Sequence, residues 1–186
     1  MSDGLIDTAN PEHQTLPGRS IFLAHAFTRL LTDEGTVDLT SKQRLVGMMD
    51  RFRGAGYAVH CALEREGWGA RLMSPGTAIQ LDYSQVQKAG YLVSFPQGSP
   101  GAFMELGFRL APPKPTVLVW SQSLVNQDPA ANQEERDYMK GMLGVLEDNN
   151  VPHLLIEDPT ADGRAFEAEI PNQILGWIAQ QAPPGH

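Results

Sequence analysis

The sequence predicts an α/β fold in which a five-stranded parallel sheet carries helices on both faces, the doubly wound arrangement of Rossmann-like and flavodoxin-like proteins. Three observations support this prediction. Five short apolar runs alternate along the chain with segments whose apolar residues recur at helical spacing. The runs are apolar throughout, which is typical of parallel strands buried on both faces. The length of 186 residues suits one domain with a substantial core.

The strands are predicted from runs that are rich in β-branched and aromatic residues. They lie at residues 20–24, 57–62, 91–95, 116–120 and 153–156. The third run is bounded by Gly90 and Pro96, which mark turns on either side of a buried strand.

The helices are predicted from apolar spacing and from capping residues. Leu45, Met48 and Phe52 share one face of the first helix, and Ser74 with Pro75 forms a cap and a first-turn proline for the second. The predicted helices lie at residues 39–53, 75–89, 101–110, 133–148 and 166–180. The third ends before a pair of prolines that cannot continue a helix.

The ends of the chain differ from its centre. Residues 1–19 are polar with proline and glycine, so we expect a flexible N-terminal arm. A single domain is predicted at residues 20–181, followed by a tail at residues 182–186.

Composition excludes several classes of protein. Fourteen Lys and Arg against 22 Asp and Glu give a net charge of −8, which disfavours binding to nucleic acid polymers or anionic membranes. The single Cys61 cannot form an intrachain disulfide, and no Cys or His spacing is typical of a metal site. We therefore expect no metal and no cofactor, and a reducing, cytoplasmic location. No apolar run reaches about 18 residues, and we expect neither a membrane span nor export.

The turn after the third strand is the most informative segment. Gly98-Ser99-Pro100-Gly101 opens a helix, and backbone N–H groups at a helix start, with the positive end of the helix dipole, form a site for an anion. Glu105 lies on the first turns of that helix. The alternative is an ordinary capped helix whose glutamate complements the dipole.

Two further segments belong with this turn. Residues 25–29 follow the first strand and residues 64–71 follow the second. Ligands of doubly wound folds bind at the carboxyl ends of the strands, so we expect all three segments at one edge of the sheet.

Five motifs between residues 20 and 120 form a pattern that is not general to α/β folds. They are Ile21-Phe22-Leu23-Ala24, Leu81-Asp82-Tyr83-Ser84-Gln85-Val86, Gly98-Ser99-Pro100-Gly101, Glu105-Leu106-Gly107, and Arg65 with Trp68-Gly69-Ala70 ahead of Ser74-Pro75. This pattern resembles the nucleoside 2-deoxyribosyltransferase superfamily, and within it the branch of nucleoside 5′-monophosphate N-glycosidases that act on CMP and 5-hydroxymethyl-CMP.

The resemblance implies a chemistry for matching positions. Glu105 falls on the glutamate that attacks the anomeric carbon and forms a glycosyl-enzyme, a role that needs the ionised carboxylate. Asp82 falls on the catalytic aspartate that the family uses near the ribose and the leaving base, where it either donates the proton to the base or orients the sugar. Ser99 and Gly101 fall on the phosphate-binding turn. The resemblance also implies a homodimer in which the neighbouring subunit contributes to the pocket.

Other residues are candidates for contacting a small-molecule nucleotide. The resemblance places Arg29 near a substrate-contacting arginine, and Phe22 where the CMP enzyme has phenylalanine. His25 is a candidate contact to the base or phosphate, or a solvated loop residue. Trp68 either stacks on a nucleobase or anchors its loop in the core. Arg65 either contacts substrate or forms a surface ion pair with a neighbouring glutamate.

Three functions follow as hypotheses. The first is hydrolysis of a pyrimidine nucleoside 5′-monophosphate, CMP or a 5-substituted relative, to free base and ribose 5-phosphate. The second is transfer of the sugar to another base, and the third is a nucleotide-binding module without turnover.

Overall fold

The computed structural model describes residues 19–25, 30, 32, 35–97, 99–121, 129–158, 165 and 168–181. The predicted arm, apart from Arg19, and the predicted tail lie outside these residues. Within them the strands are β1 Ser20–His25, β2 Ala58–Cys61, β3 Tyr91–Phe95, β4 Thr116–Ser121 and β5 His153–Asp158. The α-helices are α1 Leu39–Gly54, α2 Ala62–Arg65, α3 Pro75–Lys88, α4 Pro100–Phe108, α5 Pro129–Asp148 and α6 Glu169–Gln181. None of these helices combines the length and apolar character needed to cross a membrane.

The sheet has five strands, all parallel, in the order β2-β1-β3-β4-β5, which confirms the predicted architecture. From β1 the chain moves outward to β2 and then crosses back to β3 on the other side of β1. Strand order therefore reverses between β1 and β3, where doubly wound folds hold their ligands. The register pairs His25 with Phe95, so the carboxyl ends of these two strands lie side by side.

The core has two layers because successive strand residues point to opposite faces of the sheet. Ile21 and Phe22 are neighbours in β1, and both side chains are fully buried in different layers. The first layer includes Leu45, Met48, Met49 and Phe52 of α1 and Ile170, Ile174 and Ile178 of α6. The second includes Val86 of α3, Ala102 and Leu106 of α4 and Leu146 of α5. Helices therefore cover both faces, as predicted.

The largest departure from the prediction lies between β2 and α3. This segment was expected to be a loop, but it contains α2 and a one-turn 3-10 helix at Gly67–Gly69. Trp68 has a left-handed backbone with φ of 61°, and the glycines on either side also have positive φ. Glycine adopts such angles at little cost, so the Gly-Trp-Gly sequence permits this tight turn. Elements this short carry no readable periodicity.

A buried arginine closes the carboxyl end of α4. Arg109 is 1% exposed, and its two terminal nitrogens donate to the carbonyl oxygens of Val86, Ala89, Gly90 and Pro115 at 2.8–3.0 Å. Burial lowers the pKa of its guanidinium to about 10. The carbonyls at the end of α3 lack intrahelical partners, so this side chain caps α3 while its own backbone ends α4.

Replacing this arginine should destabilise the fold. We expect Arg109→Met to lower the free energy of unfolding by about 3–5 kcal/mol, because several buried carbonyls lose a charged donor at once. Urea denaturation measures the change. Arg51→Met, at an exposed position of α1, is the matched control and should stay within about 0.5 kcal/mol of the wild type. A loss below about 1 kcal/mol for Arg109→Met would contradict the assigned role.

Candidate active site

The amino end of α4 has the predicted strand-turn-helix form, but it offers fewer amides than expected. Ser99 caps the helix, and its Oγ accepts the Ala102 N–H at 3.1 Å. Pro100 has no N–H, so Gly101 supplies the remaining N–H among the first residues of the helix. Because Oγ is an acceptor in the cap, the Ser99 hydroxyl hydrogen can still donate to a ligand. Gly98, at the centre of the predicted turn, lies outside the described residues.

Gly101 is exposed at this helix start. An added Cβ there would meet the Ser99 Oγ at 3.7 Å, an ordinary van der Waals contact. The fold itself therefore does not require glycine at this position. A missing side chain does leave room for a ligand to approach the backbone closely.

A buried polar network holds the end of β3, just before the turn. The Gln97 side chain donates to the Ser121 carbonyl oxygen at 2.6 Å and accepts the Ser121 N–H at 3.1 Å. The Ser121 hydroxyl donates to Asp158 at 2.6 Å. All three residues are at most 4% exposed, so the carboxyl ends of β3, β4 and β5 are joined. Sequence reasoning missed this network, since a polar residue after a strand gives no indication of its distant partner.

Glu105 is buried on α4, with 7% of its surface exposed. Burial, followed by the negative charge of Asp82, raises its pKa from the ordinary 4.5 to about 8, while the positive charge of Arg65 acts in the opposite direction. These three side chains are therefore close enough to interact electrostatically. At neutral pH the Glu105 carboxyl group mostly keeps its proton in the unliganded protein. The ionised form that the sequence-based mechanism requires is the minor one.

Arg65 and Asp82 form a largely enclosed ion pair. The Arg65 Nη1 donates to Asp82 Oδ1 at 2.8 Å and to Gln85 Oε1 at 3.1 Å, and its Nη2 donates to Glu66 Oε1 at 3.3 Å. The Arg65 and Asp82 side chains are 16% and 14% exposed. The expected ion pair with a neighbouring glutamate, Glu66, is present, but it belongs to a largely enclosed cluster centred on Arg65 and does not lie at the open surface. Asp82 and Gln85 lie one turn apart on α3, a same-face spacing that sequence analysis could have used.

Further candidate substrate contacts lie in β1 or in the segment after it, and the structure describes two of them, Phe22 and His25. Phe22 is fully buried in the layer formed with α3 and α4, so its side chain is not at an open surface. His25 ends β1 and stacks on Phe95 with ring centroids 5.0 Å apart, at the point where strand order reverses. Arg29 lies outside the described residues. The predicted substrate contacts of these residues stay predictions.

Trp68 packs as a loop anchor. It is partly buried against the core layer of α1 and α6, and its carbonyl oxygen accepts the Val37 N–H at 3.1 Å. The Lys42 ammonium lies 5.4 Å from the centre of its ring. This packing matches the second of the two sequence interpretations, and stacking on a base stays a prediction.

Neither a metal cluster nor a reactive thiol is found among the described residues of the site. Among the described ranges, no group of three His, Cys, Asp or Glu side chains is placed to hold a metal ion. Cys61 is buried, and burial raises the pKa of its thiol to about 11. A thiol of that kind is a poor nucleophile at neutral pH.

The fold is shared with two solved structures. The CMP N-glycosidase BcmB of Clostridium botulinum matches with a TM-score of 0.52 over 83% of this chain and 97% of that chain, at 18% identity. BlsM, known from a solution structure, matches with a TM-score of 0.58 over 91% and 98%, at 23% identity. No protein-family profile and no curated protein matches the sequence. The fold resemblance predicted from the sequence is confirmed.

The buried glutamate should give the protein a distinctive pH dependence of stability. The folded state binds the Glu105 proton more tightly than the unfolded chain, because its pKa is about 8 instead of 4.5. Its contribution to stability is complete below about pH 4.5 and is lost as pH rises to about 8, with an upper bound of about 5 kcal/mol. Glutamine does not titrate, so Glu105→Gln should lose less stability than the wild type between pH 5 and pH 9.

Urea denaturation at pH 5, 7 and 9 measures this difference. Glu147→Gln, the same substitution at an exposed position of α5, controls for the removal of one acidic group. Identical pH dependence in the wild type and Glu105→Gln would show that Glu105 is not a buried titrating group.

Proposed function

We propose that the protein is a nucleotide N-glycosidase that hydrolyses a nucleoside 5′-monophosphate to free base and ribose 5-phosphate. One observation carries this proposal: the buried carboxyl group of Glu105 lies close enough to the Asp82 carboxylate of α3 to feel its charge. Glu105 lies on α4, which starts at the sheet edge where strand order reverses. The shared fold with a CMP N-glycosidase supports it. Pyrimidine nucleotides, CMP and 5-hydroxymethyl-CMP, are therefore the first candidate substrates.

The proposed reaction proceeds through a glycosyl-enzyme. An ionised Glu105 oxygen forms a bond to C1′ of the ribose as the bond from C1′ to the base nitrogen breaks, and the leaving base takes up a proton from solvent. Water then cleaves the ester: its hydroxyl group bonds to C1′ to give ribose 5-phosphate, its proton returns to solvent, and the Glu105 carboxylate is restored. The transition state is oxocarbenium-like, so a carboxylate beside C1′ stabilises it most strongly. Asp82, held by Arg65, accepts hydrogen bonds from the sugar in this scheme.

The phosphate is proposed to bind at the amino end of α4. The Ser99 hydroxyl, the Gly101 N–H and the positive end of the helix dipole supply donors and charge for an anion. Binding there is remote from the bond that breaks, so it holds the sugar in place for attack. Arg29 is proposed as a further phosphate contact, and His25 as a contact to the sugar or base.

The proposed oligomeric state follows from the family resemblance, and the proposed location follows from the single cysteine. We propose a homodimer in the cytoplasm, with the neighbouring subunit completing the pocket. The chemistry described needs neither a metal nor a cofactor.

A substrate panel tests the proposal. The protein is incubated with CMP, 5-hydroxymethyl-CMP, UMP, dCMP and purine monophosphates, and with the matching nucleosides, and released bases are separated by chromatography. We expect release from a pyrimidine monophosphate and little from its nucleoside. Glu105→Gln should reduce release by at least about 100-fold while CMP binding, measured by calorimetry, persists.

Other outcomes select another function. Formation of a new nucleoside after addition of a second base indicates base exchange, and binding without release indicates a module without turnover. Normal release by Glu105→Gln, or equal release from nucleosides and monophosphates, contradicts the assigned roles of Glu105 or of the phosphate site.

The pH dependence of catalysis follows from the burial of Glu105. Its ionised form is the reactive one, and with a pKa of about 8 only about a tenth is ionised at pH 7. We expect kcat/KM to rise about tenfold between pH 7 and pH 9 and then level off. Measurements above pH 6.5 keep the substrate phosphate doubly charged, because its second pKa is about 6. A flat profile over this range contradicts a buried nucleophile.

A further inference from the structure

Arg65 is already occupied by protein partners. Its Nη1 is shared between Asp82 and Gln85, and its Nη2 donates to Glu66, which is itself only 8% exposed. The Arg65 Nε is buried without a partner among the described atoms. Three of the five guanidinium N–H donors are therefore held by protein acceptors, although the sequence had suggested a contact to substrate.

We propose that Arg65 is a positioning residue, which fixes the Asp82 carboxylate on α3 next to Glu105 and does not itself contact the substrate. The inference rests on the proposed function of this site. Arg65 ends α2, a helix of four residues that follows β2 directly, so it is anchored at the carboxyl edge of the sheet. One of its terminal nitrogens, Nη1, donates to two acceptors one turn apart on α3, Asp82 Oδ1 and Gln85 Oε1, while Nη2 donates to Glu66. The Asp82 carboxylate is thereby held at one oxygen by a donor whose own position is fixed.

Arg65 also offsets the charge of Asp82 at Glu105. Asp82 disfavours ionisation of Glu105, and Arg65 favours it. Within the part of the chain that the structure describes, other titratable side chains near α4 are the Cys61 thiol of β2, His25 at the end of β1, on which α4 packs, Tyr83 of α3 against Phe108, and Tyr138 of α5 against Phe103. Without Arg65, the negative charge of Asp82 would act on Glu105 uncompensated. The pKa of Glu105 would then rise further.

Three variants separate positioning from substrate contact. We expect Arg65→Met to raise the midpoint of the pH profile of kcat/KM by about one pH unit. The same variant should lower kcat at pH 7 more than about tenfold and change KM less than about threefold. Arg65→Lys keeps the charge, so its midpoint should return to within about half a unit of the wild type, while kcat stays low because an ammonium lacks the planar fork. Arg53→Met removes an exposed pair with Glu64 and is the matched control.

A rise in KM at an unchanged midpoint would overturn the proposal, since that is the behaviour of a substrate contact. For Arg65→Met, a lower kcat at an unchanged midpoint would also overturn it. If Arg65→Met does not fold, Gln85→Leu, which removes one acceptor of the fork, replaces it and should lower kcat with little change in KM.

A measurement without turnover separates this inference from the proposed function. The pH dependence of unfolding is compared for the wild type, Arg65→Met, Glu105→Gln and the double variant. In the protein that keeps Glu105, Arg65→Met should raise the pH at which stability is lost. In the protein that carries Glu105→Gln, the same substitution should leave that pH unchanged. If no variant releases base and this shift is present, the glycosidase proposal fails and the placement of Arg65 stands. If the shift is absent, the positioning role is overturned regardless of activity.

Discussion

Burial of the Glu105 carboxyl group is the constraint on which the rest of the site depends. An ionised carboxylate is costly to remove from water, so a fold that buries one must compensate its charge or keep its proton. Here Asp82 adds a second negative charge and Arg65 offsets it. The neutral form of Glu105 is therefore favoured at rest, and a substrate that develops positive charge is the natural partner of its ionised form.

Such a group has to be held in place, and α4 is fixed at both ends. Before its amino end, Gln97 joins β3 to Ser121 of β4, and Ser99 caps the first turn. At its carboxyl end, Arg109 binds the carbonyls that close α3. Glu105 lies between these two anchors on a regular helix, and a side chain on a rigid element is positioned more closely than one on a loop.

The local sequence pattern predicted the helices and strands that build this site. It could not predict the contacts between residues that are far apart in the sequence. The strand β3 matched the expected residues because Gly90 and Pro96 bound an uninterrupted apolar run. Glu105 and Asp82 were identified through short motifs on single helices. The fork of Arg65 joins α2 to α3, and the four acceptors of Arg109 come from two separate segments. No spacing rule connects such partners, so only the folded chain shows them.

The two carboxyl groups of the site lie on neighbouring helices, α3 and α4, in different electrostatic environments. Asp82 is paired with a guanidinium, whereas Glu105 is buried and forms no ion pair with any of the described residues. Different environments allow two carboxyl groups in one site to have different roles in a reaction. Ionisation of Glu105 costs free energy in the empty site and is favoured once C1′ becomes positive. Its charge therefore stabilises the transition state more than the ground state, which is the condition for accelerating the chemical step.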